Sequence, residues 1–210
     1  MGVRPVSIPQ TMTRARRHDQ KSPAPGRGRV LWRALLLAAS GTAALIFQVL
    51  WIKQLTLIVG VDVYAVTAGV SAFFAGLALG GLVLGRTADR AQRPLRLYAA
   101  LEIGVAVAGV VTTLALAHMA RLFATLEATS GVFAWAVVCV TVAVAPFLMG
   151  GTLPAVVRSL GFDAGRIGSG GGRMYAANTA GAILGALCPR FSSSPRSASK
   201  VRRRPPPPSA

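Results

Sequence analysis

Few side chains in this sequence are suited to chemistry, and most of those are charged. Six acids accompany 23 Lys and Arg residues in 210. Asp89 stands among Arg86, Arg90 and Arg93 in the stretch GRTADRAQR. One reading is a charge latch: Asp89 caps a neighbouring helix start while Arg90 and Arg93 pair with acids elsewhere, coupling helix positions. The other is a solvated loop whose charge sets the orientation of the chain.

Glu102 is the acid that interrupts the apolar run from Leu97 to Ala117, about 7 to 8 Å of helix rise inside Leu97. A carboxylate at that depth is expensive and tends to face a bundle interior. The expected partner is an arginine such as Arg90 or Arg173, with a proton or polyamine site as the alternative. Tyr175 and Asn178 are the main polar features of the last apolar run; packing between helices is their expected role, and hydrogen bonds to backbone freed near Gly150, Gly151 and Pro154 are the alternative. GSGGGR, residues 168–173, resembles a phosphate-binding loop in composition, but it follows no strand and reads as a flexible linker. Cys139 and Cys188 have no metal-ligand spacing, and His18 and His118 stand alone. No residue is assigned a catalytic, cofactor-binding or metal-ligating role.

These groups are placed by apolar runs. The chain is 53% hydrophobic and 14% charged, where a soluble domain carries about a quarter of its residues as charges. The net charge of +17 would suit nucleic acid, but the basic residues sit between apolar runs with few aromatics beside them, so the expected partner is a lipid bilayer and not nucleic acid. Tyr64 to Leu84 contains no charge; at about 1.5 Å per residue it is long enough to cross a hydrocarbon core of about 30 Å. Gly76 and Gly80, then Gly81 and Gly85, form two GxxxG spacings where another helix can approach closely, and Gly181 and Gly185 form a third.

The remaining spans are predicted from Ala34 to Val59, from Leu97 to Ala117, and from Val132 through Val157, with a curtailed fifth from Met174. Trp51 and Lys53 are expected at the membrane interface. Pro146 and Pro154 are expected to kink or break the fourth helix. The prediction is thus an all-α, multi-pass transmembrane helical bundle with four spans and an incomplete fifth. Its domains are a disordered basic tail at 1–33, a helical domain at 34–188, and a disordered basic tail rich in Pro and Ser at 189–210.

Fifteen Lys or Arg residues fall in the first tail and the connections 86–96 and 158–173, against Lys53 and Arg121 in the alternating ones. The positive-inside rule then predicts a cytoplasmic N terminus in the inner (plasma) membrane. The same rule makes the last 21 residues anomalous, because a fifth crossing would place six basic residues outside. A truncation or reading-frame error near Leu187 is the expected cause, and a fifth helix that does not insert is the alternative.

The ordered series TAALIFQVLWIKQLTLIVG, VYAVTAGVSAFFAGLALGGLVLGRTADR, PLRLYAALEIGVA, PFLMGGTLPAVVRSL and GRMYAANTAGAILGAL resembles the N-terminal membrane domain of spermidine-synthase-like membrane proteins. The resemblance covers about Leu35 to Leu187. It implies a membrane module that precedes a soluble aminopropyltransferase domain, whose donor would be decarboxylated S-adenosylmethionine. No cofactor is expected in this chain, and alone it is expected to be inactive. The implied partners are such a soluble domain or further copies of the chain. GRTADRAQR also resembles the loop signature of major-facilitator transporters. A fragment of a small-solute transporter and a non-functional truncated product are therefore the alternatives.

Overall fold

The structure, a computed structural model, describes residues 26–162 and 167–192. Six helices and no strand occur among them: α1 (Arg27–Val59), α2 (Asp62–Arg90), α3 (Pro94–Thr129), α4 (Gly131–Gly150), α5 (Thr152–Leu160) and α6 (Ile167–Ser192). Four helical stretches are long and apolar enough to cross a membrane: α1, α2, α3, and α4 continued by α5. The fold is an all-α helical bundle.

The turns are short and each has a local cause. Gly60 ends α1 at φ 75°, with its N–H donated to the Thr56 carbonyl at 2.9 Å. That left-handed geometry is cheap only without a Cβ. Pro94 opens α3, where its missing N–H costs nothing and its fixed φ suits the first turn. A single residue, Ser130, separates α3 from α4, its N–H donated to Leu126 O at 2.7 Å.

Several boundaries differ from the sequence expectation. α1 starts at Arg27, not Ala34, because RGRVLWR contains good helix formers and helices continue past the apolar stretch that crosses a bilayer. For the same reason α3 runs on to Thr129, where Met119 and Phe123 are buried and Phe123 meets Trp135 edge-on at 5.6 Å. GSGGGR is helical: it forms the beginning of α6, seven residues ahead of the expected start at Met174. Residues 1–25 and 193–210, which hold most of both predicted tails, lie outside the described residues.

The fourth span is interrupted near Pro154 and not at Pro146. Pro146 lies inside a continuous α4, and Pro154 lies in the first turn of α5. The interruption falls at Gly151, beside the Gly150 carbonyl that Pro154 cannot bond and that its ring would crowd. Gly151 N–H bonds Leu148 O at 3.2 Å, and Thr152 Oγ1 donates to Met149 O at 2.8 Å. These bonds occupy carbonyls that the break would leave without partners.

α1 lies along α6, α2 lies along α4, and α3 covers α4 and α5. Two apolar clusters result. The larger one joins Trp51, Phe73, Val105, Leu116, Val138 and Met149. The smaller one joins Leu37, Ala88, Tyr98, Leu101, Val156 and Met174, and so gathers the ends of the helices that carry the arginine clusters. The outer surface is apolar too, with Leu57 83% and Val132 84% exposed. Helices apolar on every side are those of a membrane span, which agrees with the lengths above.

Candidate functional site

The features that define this molecule are two seams and one basic end. In the first seam, α2 presses on α4. A Cβ on Gly80 would collide with the backbone of Phe147, and one on Gly76 with the carbonyl of Ala143. The contact is reciprocal, since a Cβ on Gly150 would strike the backbone at Leu77, Gly80 and Gly81. Gly81 and Gly85 are different: a Cβ there would sit 3.7 Å from Gly150 O and 3.8 Å from Pro154 Cγ, which is ordinary contact. Of the two GxxxG pairs on α2, the first lies at the closest approach and the second beside it.

In the second seam, α6 presses on α1. Gly181 meets the backbone of Ala38, Gly185 meets that of Thr42, and Gly41 meets that of Asn178. Thr42 Oγ1 lies 2.9 Å from both Ala38 O, in its own helix, and Gly181 O across the seam. Its single proton can serve either carbonyl. Sequence reasoning missed Gly41 and Thr42, and named Gly150 only for its freed backbone. Gly41 has no glycine four residues away, so it carries no motif of its own; only the partner helix makes it matter.

Asn178 lies on this second seam, its carbonyl and Oδ1 over Gly41 of α1, a packing position between helices. Tyr175 is 60% exposed. Trp51 is a core residue and not an interfacial one: it is 1% exposed, stacked on Phe47 at 5.3 Å, with Nε1–H donated to Thr113 Oγ1 at 3.0 Å. Gln54 Nε2 donates to Thr113 O at 3.2 Å, joining α1 and α3 at the same place. A glutamine inside an apolar helix was the available signal for this polar node.

Arg86, Asp89, Arg90 and Arg93 are exposed. Asp89 does not cap α3, whose N-cap residue is Arg93 and has no side-chain cap bond. The one polar contact shown at Asp89 uses its backbone carbonyl, which accepts from Arg158 Nε at 3.3 Å. That bond ties the end of α2 to α5 without using the carboxylate.

Glu102 is half-buried. The polar group that interacts with it is the phenol of Tyr98, one turn earlier in α3, in place of the expected arginine, and Oε1 is buried without a hydrogen-bond partner. No His, Cys, Asp or Glu grouping that could hold a metal occurs among the described residues. Cys139 is a half-buried free thiol on α4, and the side chain of Cys188 lies outside the description.

The basic end is formed where the N-terminal turns of α1, α3 and α6 meet the C-terminal turns of α2 and α5. Among the described residues, two clefts open there. One, of about 700 Å³, lies between the starts of α1 and α6, and the other, of about 560 Å³, lies between the end of α2 and the start of α3. No known protein family, curated protein or solved structure matches this chain.

Proposed function

We propose that this chain is a membrane-embedded scaffold, the membrane module of a spermidine-synthase-like protein, whose soluble aminopropyltransferase partner it would hold at the bilayer surface. The observation that carries the scaffold part is the pair of glycine seams, in which helix backbones touch across α2·α4 and α1·α6. Transport by alternating access needs elements that slide or rock against one another. Backbone contact leaves little room for sliding, because packed interfaces deform poorly. The family part rests on the ordered series of sequence motifs described above.

In this reading the basic end faces the cytoplasm of a cell with an inner membrane, since the first tail and the connections 86–96 and 158–173 hold fifteen Lys and Arg residues against Lys53 and Arg121 in the alternating connections, the six from Arg190 onward running against this count. The aminopropyl donor would bind the partner, and this chain would hold no cofactor.

The test is reconstitution. Purified chain in vesicles is expected neither to make spermidine from putrescine nor to move labelled polyamine across the bilayer. Co-expressed with a soluble aminopropyltransferase domain, it is expected to bring that enzyme's activity into the washed membrane fraction. Polyamine uptake by vesicles holding the chain alone would overturn the scaffold in favour of a transporter. An enzyme that stays soluble would overturn the proposed partnership. Reporter fusions after Gly60 and after Arg93 are expected to signal outside and inside respectively; the reverse pattern would overturn the orientation.

A further inference from the structure

The cleft between the starts of α1 and α6 combines features of a lipid site. Its charged wall is Arg27 and Arg173, both exposed, and neither makes an ion pair among the described residues. The cleft is lined below them by Val30, Leu31, Ala34 and Met174, of which Met174 is fully buried and Leu31 is 63% exposed. A volume of about 700 Å³ lies within the range of pockets that enclose small molecules. The positive ends of two long helices converge here, and neither first turn contains an acidic residue. Among the described residues the cleft lining contains no carboxylate.

From this we infer that the α1·α6 cleft binds the phosphate headgroup of an anionic phospholipid, with the first part of an acyl chain lying on Leu31 and Ala34. Position and chemistry agree. Arg27 and Arg173 stand at the ends of helices whose apolar runs begin within a turn or two, which is headgroup depth in a bilayer. Guanidinium forks match phosphate oxygens in two-point geometry, and basic pockets between membrane helices suit such headgroups. The second cleft, with Arg86 and Arg90, is also basic but lies between the C-terminal end of α2, whose carbonyls repel anions, and the start of α3, so only one of its two helix ends favours an anion. It is therefore the weaker anion site and the natural control.

The experiment is native mass spectrometry of the full chain released from detergent, with phosphatidylglycerol or phosphatidylcholine added in equal amounts. Wild-type chain is expected to retain phosphatidylglycerol preferentially. R27Q/R173Q is expected to lower that retention roughly twenty-five-fold, from about one factor of five per arginine, while R27K/R173K keeps most of it. R86Q/R90Q is expected to change it less than threefold, by the weaker-site argument. Both arginine pairs are exposed, and circular dichroism would check that each variant keeps its helix content. Excess inorganic phosphate is expected to leave the lipid bound, because it lacks the chain that lies on the apolar wall. Equal retention of the two lipids, or equal losses in the two glutamine variants, would overturn the inference. Phosphate that displaces the lipid and itself binds with the same dependence on Arg27 and Arg173 would assign the cleft to free phosphate.

Discussion

The two seams use the same residue type for different structural ends. Along α2·α4, glycine contact joins two helices that other helices also cover, with α1 and α3 on the flanks and α5 beyond. Along α1·α6, the contact is nearly all that holds α6, whose other neighbour is the short α5. The first seam is embedded in the larger apolar cluster; the second runs along one edge, with Ile183 and Leu184 exposed on α6. A defect in the first should therefore spread through the bundle, whereas a defect in the second should release one helix.

Substitutions can break this contrast or sharpen it. The largest effect is expected from Gly80→Leu, which forces a branched side chain into the backbone of Phe147. Overpacking costs about 1–3 kcal/mol where neighbours can move, and here the obstacle is backbone, so loss of the folded bundle is the expected outcome in a detergent unfolding titration. An unchanged midpoint would mean that α2 and α4 can separate freely. Gly181→Leu should come next. It is expected to expose α6 to limited proteolysis while α1 to α5 remain protected; a bundle that unfolds as a whole would erase the distinction between the seams.

A smaller step separates close approach from mere proximity. Gly80→Ala is expected to destabilise by about 1–3 kcal/mol. Gly81→Ala and Gly85→Ala, which have ordinary contact distance available, should be neutral or stabilising by up to about 1 kcal/mol through helix propensity. Thermal melts of the three variants side by side would decide, and equal losses at all three would refute the assignment of the first pair to the seam. The smallest expected effect is that of Thr42→Val, which keeps the shape and removes the hydroxyl proton. Hydrogen bonds between membrane helices average about 0.6 kcal/mol, and part of this one is shared with Ala38 in the same helix. Cysteine cross-linking between α1 and α6 should fall slightly; a large fall would make the hydroxyl, and not glycine contact, the main link.

Much of the architecture was legible because it is local. Apolar runs of about twenty residues announce membrane helices whatever their neighbours, since every backbone polar group in lipid must be satisfied within the segment. Pro94 and Gly60 mark turns through their own backbone restrictions. Charge distribution between runs likewise needs no knowledge of contacts. The errors also have a common cause. Apolarity was read as the boundary of a helix, so the arginine-rich start of α1, the glycine-rich start of α6 and the far end of α3 were all drawn too short.

The site was less legible, because its residues acquire meaning from what faces them. Trp51 has the composition of an interfacial anchor and becomes a core residue only because Thr113 and Phe47 meet it. Glu102 has arginines within plausible sequence reach and instead has Tyr98 of its own helix. Asp89 contributes its carbonyl and not its carboxylate.

Sequence alone therefore determined that this protein is a set of long apolar helices with arginines at alternate connections and glycines at helical spacing. Only the tertiary structure decided which glycines touch a neighbour, because GxxxG specifies a flat patch on one helix but not the helix that will use it. That choice made Gly76 and Gly80 seam residues and left Gly81 and Gly85 at van der Waals distance. It also brought Gly41, which forms no motif, into backbone contact with α6.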